Sequence, residues 1–227
     1  TVLIPDLRSG CSLAESITPA DVRELRRRHP GVPVVTYVNT SAAVKAESDI
    51  CCTSGNAVAV IESLGVPRVI MIPDQYLAAN VARQTGVEVI THPGACEVHE
   101  RFTPSDIHQL RSDYPGVTVL AHPECPPAVV DEADYAGSTA QMVDYVGTRR
   151  PRRIALITEC SMSDNVAQQF PDTEFVRPCN LCPHMKRNTL ARIRHSLETM
   201  THRVTIDEAV AERARAAVDR MLAVGSK

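Results

Sequence analysis

The stretch Thr18-Pro-Ala-Asp-Val-Arg-Glu-Leu-Arg26, followed by His29-Pro-Gly-Val32, returns as Thr103-Pro-Ser-Asp-Ile-His-Gln-Leu-Arg111, followed by Tyr114-Pro-Gly-Val117. The two copies lie 85 positions apart. The same offset carries Tyr37 onto His122, Asn39 onto Glu124, Asp49 onto Asp134 and Thr53-Ser54 onto Ser138-Thr139. It also carries Arg68-Val-Ile-Met-Ile72 onto Arg153-Ile-Ala-Leu-Ile157, and Asn80-Val-Ala-Arg-Gln84 onto Asn165-Val-Ala-Gln-Gln169. A duplicated unit of this length is one supersecondary assembly repeated, so its internal pattern determines the fold.

Within the first copy, Pro19–Arg28 has apolar positions at helical spacing, with Thr18 as its N-cap and Pro19 in its first turn. Short β-branched runs follow at Val32–Val38, Asp49–Thr53, Arg68–Ile72 and Val87–Thr91, separated by helical stretches at Ser54–Leu64 and Gln75–Thr85. The second copy repeats the strands at Val117–His122, Tyr135–Gly137, Arg153–Thr158 and Glu174–Arg177. Alternation of this kind predicts parallel sheets covered by helices on both faces. After Cys182 the period stops, and helices are expected at His184–Thr199 and Asp207–Ala223. The expected division is a second α/β domain at 12–97, a third at 98–182, and residues 1–11 with 183–227 as the remnant of a first, incomplete domain. Each unit reads as a three-layer α/β/α domain, and the equally spaced Cys11, Cys96 and Cys182 could converge if the units pack in a pseudo-threefold arrangement.

Composition narrows the function classes. The 227 residues carry 24 Lys and Arg against 27 Asp and Glu, a formal charge of −3. Phosphate-backbone recognition leaves a basic footprint, so no nucleic-acid partner is expected. No apolar run approaches the ~18 residues of a membrane span, so no membrane partner is expected either. The first residue is Thr, and no signal peptide is expected. Asp131, Glu132 and Asp134, with the basic runs Arg26–Arg28 and Arg149–Arg153, read as solvated faces.

Eight cysteines are the unusual part of the inventory. A disulfide framework suits a short secreted chain, and this one is too long and apolar to need staples. Metal or iron–sulfur ligation and burial as small hydrophobes are the other readings. Position sorts them: Cys11, Cys96 and Cys182 recur at spacings of 85 and 86, each in a polar loop after a strand-like run. Three such thiols could converge on one axis and hold a cuboidal cluster with one iron open, and zinc with three Cys and water is the chemical rival. Cys51, Cys52, Cys125, Cys160 and Cys179 have no such set and read as bystanders.

Strand ends come next, because ligands of parallel α/β sheets bind beyond their carboxyl ends. His122-Pro-Glu-Cys125 and its counterpart Tyr37-Val-Asn39 both fall there, making Glu124 a candidate general base with His122 as partner. Thr53-Ser54-Gly55-Asn56 and Gly137-Ser138-Thr139 precede helices. Their hydroxyls and N–H groups suit a carboxylate or phosphate.

Pro5-Asp-x3-Gly10-Cys11, Tyr37-Val-Asn-Thr-Ser-Ala-Ala-Val-Lys45, Thr53-Ser-Gly-Asn-Ala57, Gly94-Ala-Cys96-Glu-Val-His99, His122-Pro-Glu-Cys125, Gly137-Ser-Thr139 and Cys182-Pro-His-Met185 together resemble the quinolinate synthase family over essentially the whole chain. The resemblance implies a [4Fe–4S] cluster held by Cys11, Cys96 and Cys182, its fourth iron open as a Lewis acid. It implies the condensation of iminoaspartate with dihydroxyacetone phosphate to quinolinate, in NAD biosynthesis. It further implies Tyr37, Asn39, Thr53, Ser54, His122, Glu124, Ser138 and Thr139 as substrate-binding residues, and Glu124, His122 and Tyr37 as catalytic ones. Cytoplasmic residence and transient contact with an aspartate-oxidising enzyme are also expected. The alternative from another class is a noncatalytic Fe–S or zinc-binding module.

Two departures from the family pattern carry expectations of their own. Some relatives have a third cysteine in the last motif, whereas here only Cys179-x-x-Cys182 stands, so no regulatory disulfide is expected. The family's N-terminal segment, which brings a His-Tyr pair and a Ser, is not in this sequence. The expectation is a truncated form with cluster loss or insolubility and little catalysis.

Overall fold

The computed structural model describes residues 1–225. In chain order the elements are β1 (Val2–Leu3), α1 (Ser12–Glu15), α2 (Pro19–Arg28), β2 (Val34–Tyr37), α3 (Ala42–Ala46), β3 (Ile50–Cys52), α4 (Ala57–Ser63), β4 (Arg68–Ile72), α5 (Gln75–Ala82) and β5 (Glu88–Thr91). The second copy supplies α6 (Pro104–Asp113), β6 (Thr118–Ala121), α7 (Pro127–Asp131), β7 (Tyr135–Ala136), α8 (Thr139–Arg149), β8 (Arg153–Ile157), α9 (Ser161–Ala167) and β9 (Glu174–Val176). The chain closes with α10 (Leu190–Thr199), β10 (Arg203–Val204) and α11 (Glu208–Val224).

The two copies build the same sheet twice. Strand order is β3-β2-β4-β5 in one and β7-β6-β8-β9 in the other, and every pairing within them is parallel. The period-2 pleat separates two cores on each sheet. Val35, Tyr37, Val69 and Met71 face one cluster, while Val34, Ile70 and Ile72 face the other. In the second sheet Val119, Ala121, Ala155 and Ile157 divide in the same way from Leu120, Ile154 and Leu156. This is the expected three-layer α/β architecture.

Local chemistry is duplicated as closely as topology. Thr18 and Thr103 each close a capping box, with Asp21 and Asp106 as partners. The turn after each of these helices needs a left-handed residue, and Gly31 and Gly116 both sit at φ +79°. Asp49 accepts from the Val34 amide and from Arg26, and Asp134 accepts from the Val119 amide and from Arg111. Asp134 and Arg26 are therefore strand and helix ties rather than members of freely solvated faces.

Three elements depart from expectation. The five-residue helices α3 and α7 stand where no helix is expected, being too short to show a period. The helix expected from His184 breaks into a 3₁₀ turn at Met185–Arg187 and an extended Asn188, and α10 starts afresh at the N-cap Thr189. Arg203–Val204 pairs antiparallel with Val2–Leu3, joining the two ends of the described chain. Ser196 donates to the Ile4 carbonyl and Arg192 pairs with Asp6 across the same junction. The last helix, α11, buries Ala217 and Met221 in the core of the first sheet. On α10, Leu190, Ile193 and Leu197 remain exposed.

Candidate active site

A cavity of about 370 Å³ opens where the two sheets' strand ends meet the cysteine loops. Cys11, Cys96 and Cys182 all line it, together with Tyr37, Asn39, Ser54, His122, Glu124 and Thr139. The three cysteines are free and half-buried. Their loops are stitched to one another. The Ser12 hydroxyl donates to the Ala95 carbonyl and accepts from the Glu97 amide, and His184 Nε2 lies 3.2 Å from Glu97 Oε1. Asn180 Nδ2 donates to the Val98 carbonyl, and the Cys182 amide donates to Glu159. Gly94 permits the close approach, since a Cβ there would stand 2.6 Å from the Pro73 carbonyl.

Thr53 and Ser138 do not line this cavity. The Thr53 amide and hydroxyl both donate to Asn56 Oδ1, at 2.6 and 3.0 Å. Ser138 is spent on the capping box of α8, accepting from the Gln141 amide. The two loops still meet behind the cavity, because a Cβ on Gly55 would come within 3.1 Å of Ser138 Oγ.

Glu124 is the electrostatic centre. It is 4% exposed, and both carboxylate oxygens are engaged. The Tyr37 hydroxyl donates to Oε1 at 2.5 Å, and His99 Nδ1 lies 3.0 Å from Oε2. Burial alone would raise this carboxyl, but His99, His122 and the Tyr37 hydroxyl outweigh it and hold the group below the usual carboxylate range. Tyr37 is driven far up by burial and by the adjacent Glu124 charge, so it stays a neutral donor.

His122 is brought down to about 4, first by burial and then by neighbouring His99, against the pull of Glu124. It is therefore neutral at pH 7. Its Nδ1 accepts from the Glu124 amide, which leaves the ring proton on Nε2. Burial pushes the Cys11 and Cys96 thiols up, with the Glu124 charge adding to it in both.

His99 is the functional residue that the sequence reading did not assign. It stacks on His122 with centroids 4.7 Å apart, and its Nε2 lies 2.9 Å from Thr158 Oγ1. Cys96, His99 and Glu124 bring their ligand atoms within 4.8 Å of one another. The signal is present in the spacing, since His99 follows a ligand candidate by three residues on the same loop.

Two bystander assignments are corrected. Cys160 and Cys179 are joined in a disulfide that ties the start of α9 to the loop before Cys182. Cys51, Cys52 and Cys125 are buried and free, as small hydrophobes are expected to be. Asp74, which caps α5 through Oδ1, keeps a buried Oδ2 without a hydrogen-bond partner. Burial, reinforced by the Glu124 charge, pushes it up to about 8.

A duplicated α/β scaffold whose strand ends present a buried carboxylate beside three equivalent thiols defines a class: an α/β protein with a thiol-lined pocket. Residues 1–223 match the family model described as NadA, quinolinate synthetase A protein. The chain belongs to that enzyme family. It is 72% identical over 224 residues to quinolinate synthase 2 of Mesorhizobium japonicum, covering 99% of this chain and 69% of that protein. It is 68% identical to the quinolinate synthase of Agrobacterium fabrum and 67% to that of Xylella fastidiosa (strain Temecula1), in each case over 99% of this chain and 65% and 66% of the relative. The chain thus spans about two thirds of the length of these relatives. Among the described residues, no helix is long and apolar enough to cross a membrane.

Proposed function

We propose that the cavity carries the quinolinate-forming condensation, in which iminoaspartate and dihydroxyacetone phosphate give quinolinate, one phosphate and two waters. The observation that carries this reading is the convergence of Cys11, Cys96 and Cys182 with Tyr37, Asn39, His122 and Glu124 on one cavity. Three soft, free sulfur donors from equivalent loops fit a [4Fe–4S] cluster that lacks a fourth protein ligand. Such a cluster, when bound, supplies a Lewis acid at its open iron. Its thiolate ligands must shed the protons that burial makes them keep, so loading releases protons.

The chain's own residues handle protons and orientation. Glu124, held ionised, accepts a substrate proton at its carboxylate and returns one to a departing hydroxyl. Tyr37 and His99 fix the two oxygens, so the accepting lone pair keeps one direction. Neutral His122 offers its Nε2–H as a donor. Asn39, Ser54 and Thr139 provide polar contacts for carboxylate and phosphate groups. Thr53 and Ser138 act behind them by shaping the loops that present Ser54 and Thr139. The β1–β10 pairing is consistent with residues 1–11 and 183–227 being the remnant of a first domain beside units 12–97 and 98–182, with α11 packed on the sheet of the 12–97 unit. The setting is the cytoplasm, where an oxygen-sensitive cluster survives and an aspartate-oxidising enzyme supplies the labile imine by transient contact.

A second reading has its own support: Cys96, His99 and Glu124 form a mixed S, N and O donor set of the kind zinc accepts. Metal and sulfide analysis of anaerobically prepared protein separates the two. About four iron and four sulfide per chain supports the cluster. One zinc without sulfide overturns it in favour of a noncatalytic metal module.

A further inference from the structure

We propose that Asn80 is a positioning residue for Glu124, performing from the neighbouring unit the loop-clamping task that Lys45 performs for Asn39. The inference rests on the acid/base role given to Glu124 above and adds a residue that does not touch the cavity.

The argument begins with two equivalent loops. Asn39 and Glu124 occupy the same position in the duplicated units, each between two residues whose carbonyls accept from one side-chain nitrogen. In the first unit, Lys45 Nζ donates to the Val38 carbonyl at 2.7 Å and also to the Thr40 carbonyl. In the second unit the counterparts of those carbonyls belong to Pro123 and Cys125, and Asn80 Nδ2 donates to both at 2.9 Å. One nitrogen thus ties the two peptide groups flanking the functional side chain in each unit. Fixing both flanking peptides leaves the intervening residue little freedom except its own rotamer.

The donors differ for a reason visible in the chain. The position equivalent to Lys45 is Val130, which packs against the core of the second sheet and has nothing to donate. The missing donor comes from α5, which lies against α7 and is tied to it at the rim by Arg83 and Asp131, 2.6 Å apart. Asn80 is 4% exposed, and both hydrogens of its amide nitrogen are used. Its Oδ1 has no hydrogen-bond partner. Turning the amide over would set that oxygen against two carbonyls, so the orientation is fixed by the clamp. Burying an unpaired oxygen is costly, and the fold tolerates it where the nitrogen of the same amide is fully satisfied. Asn165, the counterpart of Asn80 one unit later, is exposed and carries no such clamp among the described residues.

The decisive measurement is amide hydrogen exchange on the full chain, prepared anaerobically, for wild type, Asn80→Leu, Asn80→Asp and Lys45→Met. The Leu variant removes the donor at similar volume, and the Asp variant keeps the shape if Leu fails to fold. In either Asn80 variant, exchange across residues 122–126 is expected to quicken about tenfold or more, with residues 38–41 unchanged, and Lys45→Met should do the reverse. Exchange that rises equally throughout the second sheet, or in neither loop, overturns the clamp.

Turnover supplies an independent arm. Displacement of a catalytic group by about 1 Å can cost 10²-fold, so kcat should fall roughly 10- to 100-fold in the Asn80 variants with KM little changed. Because Asn80 acts through Glu124, adding its substitution to Glu124→Gln should cost nothing further. A full additional loss in that background overturns the positioning role. If wild type carrying a full complement of iron and sulfide forms no quinolinate, the proposed function fails while the exchange result still decides the clamp.

Discussion

The two duplicated units share backbone down to single hydrogen bonds and differ where their strands end. Asp49 and Asp134 each take a strand amide at 2.7 Å and pair with Arg26 of α2 and Arg111 of α6 respectively. At the strand tips, however, Tyr37 corresponds to His122, and Asn39 to Glu124. Structural positions buried among neighbours resist change because any substitution leaves a cavity or an unpaired group. Tip positions face a cavity and can diverge at little cost to stability. Duplication therefore provided two copies of one support. The pocket drew a neutral donor and an amide from one copy, a carboxylate and an imidazole from the other. Tyr37 donating to Glu124 at 2.5 Å is the direct contact between the two contributions.

The widest gap between the units is expected at their equivalent tip residues. Glu124→Gln keeps shape and removes the base, and should lower kcat by about 10²–10⁴-fold while leaving iron and sulfide content intact. Asn39→Ala removes a neutral contact and should raise KM about tenfold, the effect of one hydrogen bond of ordinary strength, with kcat nearly preserved. Steady-state rates of quinolinate formation in both variants check the contrast. Equal losses of kcat at the two positions would mean that the units contribute alike, and the division of labour would collapse.

Acid stability sharpens the same comparison at Tyr37 and His122. The His122 imidazole is lowered from 6.5 to about 4 in the fold, mainly by burial. Between those values the unfolded chain binds more protons than the native one, so stability rises with pH across that window. The contribution is fully present above pH 6.5 and is lost as pH falls through 4, amounting to about 3 kcal/mol. Tyr37 at the equivalent position is a neutral hydroxyl throughout this range, because burial pushes it upward. Urea unfolding at pH 7 and pH 4.5 should show this loss in wild type and a much smaller one in His122→Gln. The same pH slope in both proteins would place the acid sensitivity elsewhere.

Much of the fold and of the pocket is legible in the amino-acid order because the repeat turns weak local signals into paired ones. A four-residue run such as Val34–Tyr37 is ambiguous alone, and its reappearance at Thr118–Ala121 in the same context makes it a strand. The convergence of Cys11, Cys96 and Cys182 is readable for the same reason. What escapes lacks either period or partner. The α3 and α7 helices are five residues long, shorter than any hydrophobic period can register. The Cys160–Cys179 disulfide joins positions with no counterpart in the repeat, so symmetry offers no hint of it. Thr53 and Ser138 are expected in the pocket by motif, but each hydroxyl is turned to a partner three residues along the chain. His99 is hinted at by its place three residues after Cys96, whereas Asn80 owes its place to a contact 43 residues away, with Pro123, which chain spacing does not encode.

The smallest effect tests the shared support rather than the divergent tips. In the first unit the Thr18 amide donates to Asp21 at 2.8 Å and the Asp21 amide returns a bond to Thr18 Oγ1 at 3.3 Å. In the second, Thr103 and Asp106 make the same two bonds at 2.7 and 3.3 Å. Removing an N-cap hydroxyl typically costs about 1 kcal/mol, because one of the helix's free amides loses its acceptor. Thr18→Ala and Thr103→Ala should each lower unfolding free energy by about that amount. The pairs share no partner, so the double variant should lose the sum within roughly 0.3–0.5 kcal/mol. Thermal or urea unfolding of the four proteins measures it. A cost concentrated in one unit would mean that identical geometry hides unequal stability, with one copy carrying the fold and the other carried by it. Equal costs would show that the helix caps have no part in the difference between the units.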